Sequence, residues 1–147
     1  MIEQGNKHLM IKISSPIDIS FYDEHIDILK KEGYVWFCRF GKDNLKIDEI
    51  GNDGKYIFIK ESKANGGKCY LAEYECLQRN IPVSGYPKYY DGIQKERNLW
   101  IKVISLKILP EGFEASFRAS SSGGELSSIY RSMCNAFYIT AQEKYET

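Results

Sequence analysis

The chain has 147 residues, of which 43% are hydrophobic and 14% aromatic, and its 20 basic and 20 acidic residues balance to a formal net charge of +0. This composition predicts a single domain, residues 1–147, whose core needs no metal or disulfide, and it excludes a disordered chain. Zero net charge argues against binding nucleic acid through phosphate neutralisation alone, although it leaves room for a small local basic patch.

The first half of the chain predicts strands that alternate with helices. Ser15 and Pro16 suit the N-cap and first position of a helix, and Gly33 suits the left-handed position after its end. One face of this helix is apolar and consists of Ile19, Tyr22, Ile26 and Leu29. In chain order we expect a strand at 8–13, a helix at 16–32, a strand at 34–40, a short helix at 45–50, a turn at 51–54 and a strand at 55–60.

The second half predicts further strands around a long irregular segment. Asn65-Gly66-Gly67 is a strong hairpin signal, so the strands on either side of it should pair antiparallel. Residues 78–98 contain two prolines, two glycines and a tyrosine cluster, and a loop of this length is usually functional or mobile. The remaining expected elements are a strand at 68–77, strands at 99–109 and 113–119, a flexible link at 120–124, a helix at 125–135 and a strand or apolar extension at 137–139.

Mostly antiparallel strands with helices at the ends predict an α+β fold, with a curved sheet able to close into a small barrel. The four cysteines are Cys38, Cys69, Cys76 and Cys134, and no CxxC pair occurs among them. We therefore expect no metal site, no cofactor, and four buried, reduced thiols. The polar start of the chain, and the lack of an apolar run of ~20 residues, predict a protein without a membrane partner that is cytoplasmic, or nuclear if the source has a nucleus.

No pattern in the chain is typical of a catalytic site. There is no G-x-S-x-G elbow, and His8 and His25 lack partner motifs, so they are better explained as surface or packing residues. Adjacent acids such as Asp23 and Glu24 point apart on a helix. The Ser/Gly run at 120–124 lacks the spacing of a phosphate-binding loop, which favours a linker and N-cap over a single phosphate contact.

The aromatic residues are more informative. Flat rings can stack on nucleobases, at ~1–3 kcal/mol per base, or can enclose a methylated or cationic group. Trp100 lies in mid-strand, which favours a core position, whereas the pattern around Trp36 is equally compatible with a core and a pocket wall. Tyr86, Tyr89 and Tyr90 lie in the long loop, a setting that favours a function.

The order of these features resembles the PUA-like superfamily, in particular its YTH and EVE branches. The resemblance is carried by short motifs at 9–15 (LMIKISS), 33–36 (GYVW), 44–46 (NLK), 56–59 (YIFI), 69–73 (CYLAE), 100–103 (WIKV), 108–110 (ILP) and 122–126 (SGGEL). It implies a PUA-like curved, mostly antiparallel β-barrel flanked by helices. It also implies a non-enzymatic module that recognises a modified base in RNA or DNA through an aromatic cage.

The resemblance also implies site residues. Trp36 matches the cage tryptophan, and a loop tyrosine would supply the second cage ring because the loop has no tryptophan. The ligand-binding residues implied in this way are Trp36, Ser14, Ser15, Asp18, Tyr86, Tyr89 and Tyr90. The candidate phosphate contacts, each also explained as a surface charge, are Arg39, Lys42 and Arg118.

Two other functions remain compatible with the sequence. The ASCH branch of the same superfamily suggests a nuclease or hydrolase, for which Lys60-Glu61-Ser62-Lys63 is the nearest candidate cluster. A protein-interaction regulator is the other alternative, and it would use the tyrosine-rich loop as a binding hot spot.

Overall fold

The computed structural model describes residues 1–42, 44–51 and 54–147, and its fold is α+β, built on one seven-stranded sheet. The strands are β1 (Lys7–Ile13), β2 (Val35–Phe40), β3 (Tyr56–Glu61), β4 (Cys69–Gln78), β5 (Arg97–Ile108), β6 (Phe117–Ala119) and β7 (Ala136–Ala141). The helices are α1 (Phe21–Glu32), α2 (Ile47–Ile50) and α3 (Leu126–Tyr130), with 3-10 helices at Lys63–Asn65, Lys88–Gly92 and Phe113–Ser116. The turn expected at 51–54 includes residues 52 and 53, which lie outside the described residues.

The strand order is β2-β5-β4-β3-β1-β7-β6. Every neighbouring pair is antiparallel except β1 and β3, which run parallel with Lys12 opposite Lys60 and Ile13 opposite Glu61. The prediction of an α+β fold with mostly antiparallel strands is confirmed. The closed barrel was wrong, because no pairing among the described residues joins the two outer strands, β2 and β6.

The central strands are buried on both faces, which explains their nearly continuous apolar runs. Leu9 and Ile11 of β1 belong to one core, which we call the inner core, and Met10 belongs to another on the opposite face. Ile57 and Phe58 of β3 divide in the same way, because successive side chains of a strand point to opposite faces. Helix α1 packs on the inner core, and α3 packs on the opposite one.

Helix α1 begins later than its sequence predicts. Its N-cap is Ser20, whose Oγ accepts a hydrogen bond from the Asp23 N–H at 3.2 Å. Ser15 is instead tied to Asn65, which accepts from the Ser15 N–H at 2.9 Å and donates to its carbonyl at 3.0 Å. This tertiary contact holds Ser15 and Pro16 outside the helix. The predicted helix end is confirmed, because Gly33 has φ +82° and donates to the Leu29 carbonyl.

Several other predictions require correction. The strand expected at 113–119 begins as a 3-10 helix and pairs only from residue 117 onwards, and the helix expected at 125–135 ends at Tyr130. All four cysteines are free, but Cys76 and Cys134 are exposed rather than buried. Burial raises the pKa of Cys38 to about 12 and that of Cys69 to about 11, so these two thiols stay neutral. The hairpin between β3 and β4 is confirmed.

The long loop covers the outer face of β2 and β5, where it forms a third aromatic core. Trp36 and Cys38 of β2 pack there with Trp100 of β5 and with Tyr90 from the loop. The Trp36 N–H also donates to the Gly85 carbonyl at 2.8 Å, which fixes the loop against the edge of β2. The expected core position of Trp100 is confirmed, since this side chain is 0% exposed.

The close approach of the loop to β2 predicts that Gly85→Ala destabilises the protein. Gly85 has φ +90°, and an added Cβ would lie 2.9 Å from Tyr34 Cε2 and 3.3 Å from Trp36 Cδ1. We expect the free energy of unfolding, measured in urea, to fall by about 2 kcal/mol or more. Gly5→Ala is the matched control, because Gly5 has φ +86° but no atom within 4 Å of the added Cβ. An equal loss in both variants would contradict tight packing of the loop.

Candidate functional site

A cavity of about 610 Å³ opens at the carboxyl ends of β1, β2 and β3. The described residues that line it are 11–14, 38–40, 60–63, Ile93, Lys95, Tyr130, Arg131 and Asn135. Strands β2 and β1 lie four positions apart in the sheet, which would separate them by about 19 Å if the sheet were flat. Because both strands line this cavity, the sheet bends between them.

The cavity has a strong excess of positive charge. Its described lining includes one carboxylate, that of Glu61, and six basic residues, which are Lys12, Arg39, Lys60, Lys63, Lys95 and Arg131. The whole chain has equal numbers of acidic and basic residues. The cavity is therefore a basic patch within a neutral protein, and concave basic surfaces concentrate anions.

Two of these lysines are direct neighbours. Lys12 and Lys60 lie opposite each other in the parallel pair, and like charges in that position are destabilising. The Lys12 Nζ donates to the carbonyls of Tyr130 at 3.1 Å and Ser132 at 2.7 Å. The Lys60 Nζ donates to the Gly67 carbonyl at 2.5 Å and lies 4.9 Å from the centre of the Tyr130 ring. These partners are uncharged, so among the described residues no ion pair neutralises either lysine, and both positive charges can attract a ligand.

Glu61 is held firmly at the wall of this basic cavity. It is 5% exposed. Its Oε1 accepts from the Lys68 N–H at 3.1 Å, and its Oε2 accepts from the Tyr70 hydroxyl at 3.0 Å. Burial and the neighbouring Glu61 carboxylate raise the pKa of Tyr70 above its ordinary value, so the hydroxyl keeps the proton that it donates.

The remaining wall is apolar and partly aromatic. Ile11, Ile13, Phe40, Ile93 and Tyr130 contribute to it. The Tyr130 hydroxyl donates to Glu114 Oε2 at 3.2 Å, which restrains the ring against Lys60. The described lining of the cavity thus combines cations, one carboxylate, and the side chains of Phe40 and Tyr130.

Of the residues predicted from the sequence, Ser14 and Arg39 lie on the cavity wall. The expected aromatic cage does not line it. Trp36 is 8% exposed and belongs to the third core. Tyr90 is buried in the same core, and Tyr86 and Tyr89 are half-buried against it. These rings fill the interface between the loop and the sheet.

The other predicted polar residues also lie away from the cavity wall. Ser15 is held by Asn65, and Asp18 is exposed in a turn before α1. Lys42 is exposed, and its carbonyl accepts from Arg39 Nη1 at 2.5 Å. Arg118 lies on β6 and donates to the Phe117 carbonyl.

Sequence reasoning missed Lys12, Tyr130 and Arg131 as site residues. Lys12 and Lys60 do carry a signal, because each interrupts the apolar run of a strand near its carboxyl end. The cluster Lys60-Glu61-Ser62-Lys63, singled out for the hydrolase alternative, lies on the wall as a whole. Tyr130 and Arg131 carry no such signal, since only the folded chain brings them to β1 and β3.

His25 and Tyr90 connect the loop to α1. His25 Nδ1 lies 2.8 Å from the Phe21 carbonyl, which can only accept, so Nδ1 carries the proton. His25 Nε2 then accepts from the Tyr90 hydroxyl at 2.5 Å, and that hydroxyl accepts from the Cys38 N–H at 3.3 Å. Burial lowers the pKa of His25 to about 4. His25 is therefore a neutral packing residue that positions the loop.

No protein-family model, curated protein or solved structure matches this chain. Within residues 1–42, 44–51 and 54–147, no group of three or more His, Cys, Asp or Glu residues is placed to hold a metal ion. None of the helices in those same segments is long and apolar enough to cross a membrane.

The buried His25 predicts that mild acid destabilises the protein. Between pH 6.5 and 4 the unfolded chain binds a proton at this histidine, whereas the folded chain does not. The stability that neutral His25 contributes is therefore present above pH 6.5 and is lost as the pH falls, by about 3 kcal/mol near pH 4.

The measurement is urea unfolding at pH 7 and pH 4.5 for the natural chain and for His25→Gln. We expect the variant to lose less stability than the natural chain on acidification, because glutamine does not titrate. An equal acid-induced loss in both proteins would contradict the assignment.

Proposed function

We propose that this protein is a non-enzymatic binding module that holds one nucleotide unit of RNA or DNA in the cavity at the ends of β1, β2 and β3. The observation that carries the proposal is the concentration there of six basic side chains beside one carboxylate among the described lining residues. Phosphate groups pair with lysine and arginine through charge-assisted hydrogen bonds.

The shape and the apolar wall favour a nucleotide over a simple anion. A volume of about 610 Å³ lies within the range of ~300–1,000 Å³ that is usual for small-ligand pockets. Phe40 and Tyr130 line the cavity, the first packed on Tyr90 and the second on Lys60, and a base that stacks on either ring gains ~1–3 kcal/mol. Three of the basic lining residues are exposed and can contact phosphates on either side of the bound nucleotide. We call these residues, Lys63, Lys95 and Arg131, the rim.

A finer proposal follows from the resemblance to the PUA-like superfamily, in which the bound base is a modified one. Ser14, one of the residues implied by that resemblance, lies on the cavity wall and supports it. The aromatic contacts would come from Phe40 and Tyr130, which line the cavity, although Phe40 also packs on the third core, to which Trp36 and the loop tyrosines belong. A preformed apolar wall recovers stacking energy and removes a methyl group from water, so one modification can raise the affinity.

Hydrolysis of a nucleic acid is a second candidate function. It is favoured by the presence of both Lys60 and Glu61 on the cavity wall, where their side chains leave β3 on opposite faces, towards Tyr130 and Tyr70 respectively. A lysine and a buried carboxylate are residue types that serve general acid–base catalysis.

The proposed function predicts that rim substitutions weaken binding of single-stranded RNA. We expect Lys63→Ala and Arg131→Ala each to raise the Kd several-fold in fluorescence-anisotropy titrations of a labelled octanucleotide. The slope of log K against log salt should fall by about 0.7 for each phosphate that the variant no longer neutralises. Lys144→Ala, an exposed lysine outside the cavity, is the control.

Negligible binding by the natural chain, or equal weakening by the control variant, would contradict the proposed function. The same titration with modified and unmodified bases tests the finer proposal. Equal affinity for every base and for its methylated forms would contradict the proposal of a modified base and would leave the proposed nucleotide binding intact.

The Lys60→Met variant tests whether Lys60 contributes to RNA binding, to the stability of the fold or to RNA cleavage. Methionine keeps most of the length of the side chain and relieves the like-charge repulsion with Lys12. We expect the free energy of unfolding to change by less than about 1 kcal/mol, while the Kd for RNA rises about tenfold. Gel analysis of the RNA should show no cleavage by either protein. Cleavage by the natural chain that is absent in the variant would favour the hydrolase instead.

A further inference from the structure

Glu61 is the one carboxylate among the described residues of a cavity otherwise rich in cations. A buried carboxylate weakens the attraction of such a site for phosphate, so its presence needs a reason beyond anion binding. It is also rigid, because the Lys68 N–H holds one of its oxygens and the Tyr70 hydroxyl holds the other.

These two hydrogen bonds leave acceptor capacity. An ionised carboxylate has about four lone-pair sites, two on each oxygen. One site on each Glu61 oxygen is occupied, and the remaining sites belong to a side chain that is 5% exposed and lies on the cavity wall. A ligand that fits the whole cavity therefore brings negative charge to the lysines and arginines, and N–H donors to Glu61.

The five common bases of RNA and DNA differ in the hydrogen-bond donors that they offer to such a pair of acceptors. Guanine presents N1–H and the N2 amino group side by side, which matches two carboxylate oxygens in the way that a guanidinium fork does. Adenine and cytosine each place one amino donor beside a ring nitrogen that only accepts. Uracil and thymine place one N–H between two carbonyl oxygens.

We propose that Glu61 recognises the base in the cavity by accepting both N–H donors of a guanine-type edge, and so determines which base is bound. This inference rests on the proposed function, since it assigns the base specificity of the same cavity. The basic residues bind the phosphates, and Glu61 selects the base. A modified base that retains both donors meets the same requirement.

The first experiment uses the natural chain and a series of RNA octanucleotides that differ only at one central base. We expect guanine to bind about tenfold more tightly than inosine, which lacks the N2 amino group and so makes one hydrogen bond fewer to a charged acceptor. Adenine, cytosine, uracil and 1-methylguanine should bind at least as weakly as inosine. Equal affinity across the series would overturn the inference and leave the proposed function standing.

The second experiment compares Glu61→Gln with Glu3→Gln, a variant of an exposed glutamate outside the cavity. Removing the Glu61 charge should reduce the preference for guanine over inosine to within about threefold, and should raise the affinity for an octanucleotide with an abasic central position. Glu3→Gln should change neither quantity. An undiminished guanine preference in Glu61→Gln would overturn the inference.

The two experiments separate the possible failures. If no octanucleotide binds to the natural chain, both the proposed function and this inference fail. If Glu61→Gln does not fold, as judged by circular dichroism, the comparison of guanine, inosine and 1-methylguanine on the natural chain decides the question.

Discussion

The parallel pairing of β1 with β3 is the constraint on which the site depends. Because these two strands run in the same direction, the polar residues that follow their apolar runs emerge at the same edge of the sheet. The register places Lys12 beside Lys60 and Ile13 beside Glu61. An antiparallel pairing would have carried the two lysines to opposite ends. The bend of the sheet then brings the end of β2, with Arg39, to the same place.

The Lys12–Lys60 pair shows a local conflict that the fold tolerates. Like charges on opposed residues oppose strand pairing, and uncharged residues there would relieve the repulsion. Backbone carbonyls of Tyr130, Ser132 and Gly67 hold the ammonium groups without neutralising them. Such violations of local stability rules concentrate at functional sites, which agrees with a basic cavity in a chain of zero net charge.

The aromatic residues illustrate how a core can resemble a ligand site in sequence. The outer face of β2 and β5 carries Trp36, Cys38 and Trp100, and this apolar surface must be covered. The long loop covers it with tyrosines, and the hydrogen bond from Tyr90 to His25 satisfies a hydroxyl that burial would otherwise leave unpaired. A cluster of rings in an irregular segment thus served packing, and the rings of the cavity came from β2 and α3.

The sequence by itself determined the features that depend on neighbouring residues: the strands with apolar runs, the end of α1 at Gly33, and the hairpin between β3 and β4. Tertiary structure alone decided the start of α1, where Ser15 bonds to a residue 50 positions away, and the open sheet. It alone assembled the cavity, because Lys12, Arg39, Glu61 and Tyr130 come from four separate elements. The physical reason is that local pattern sets which face of an element is apolar, whereas strand order and direction set which polar ends meet.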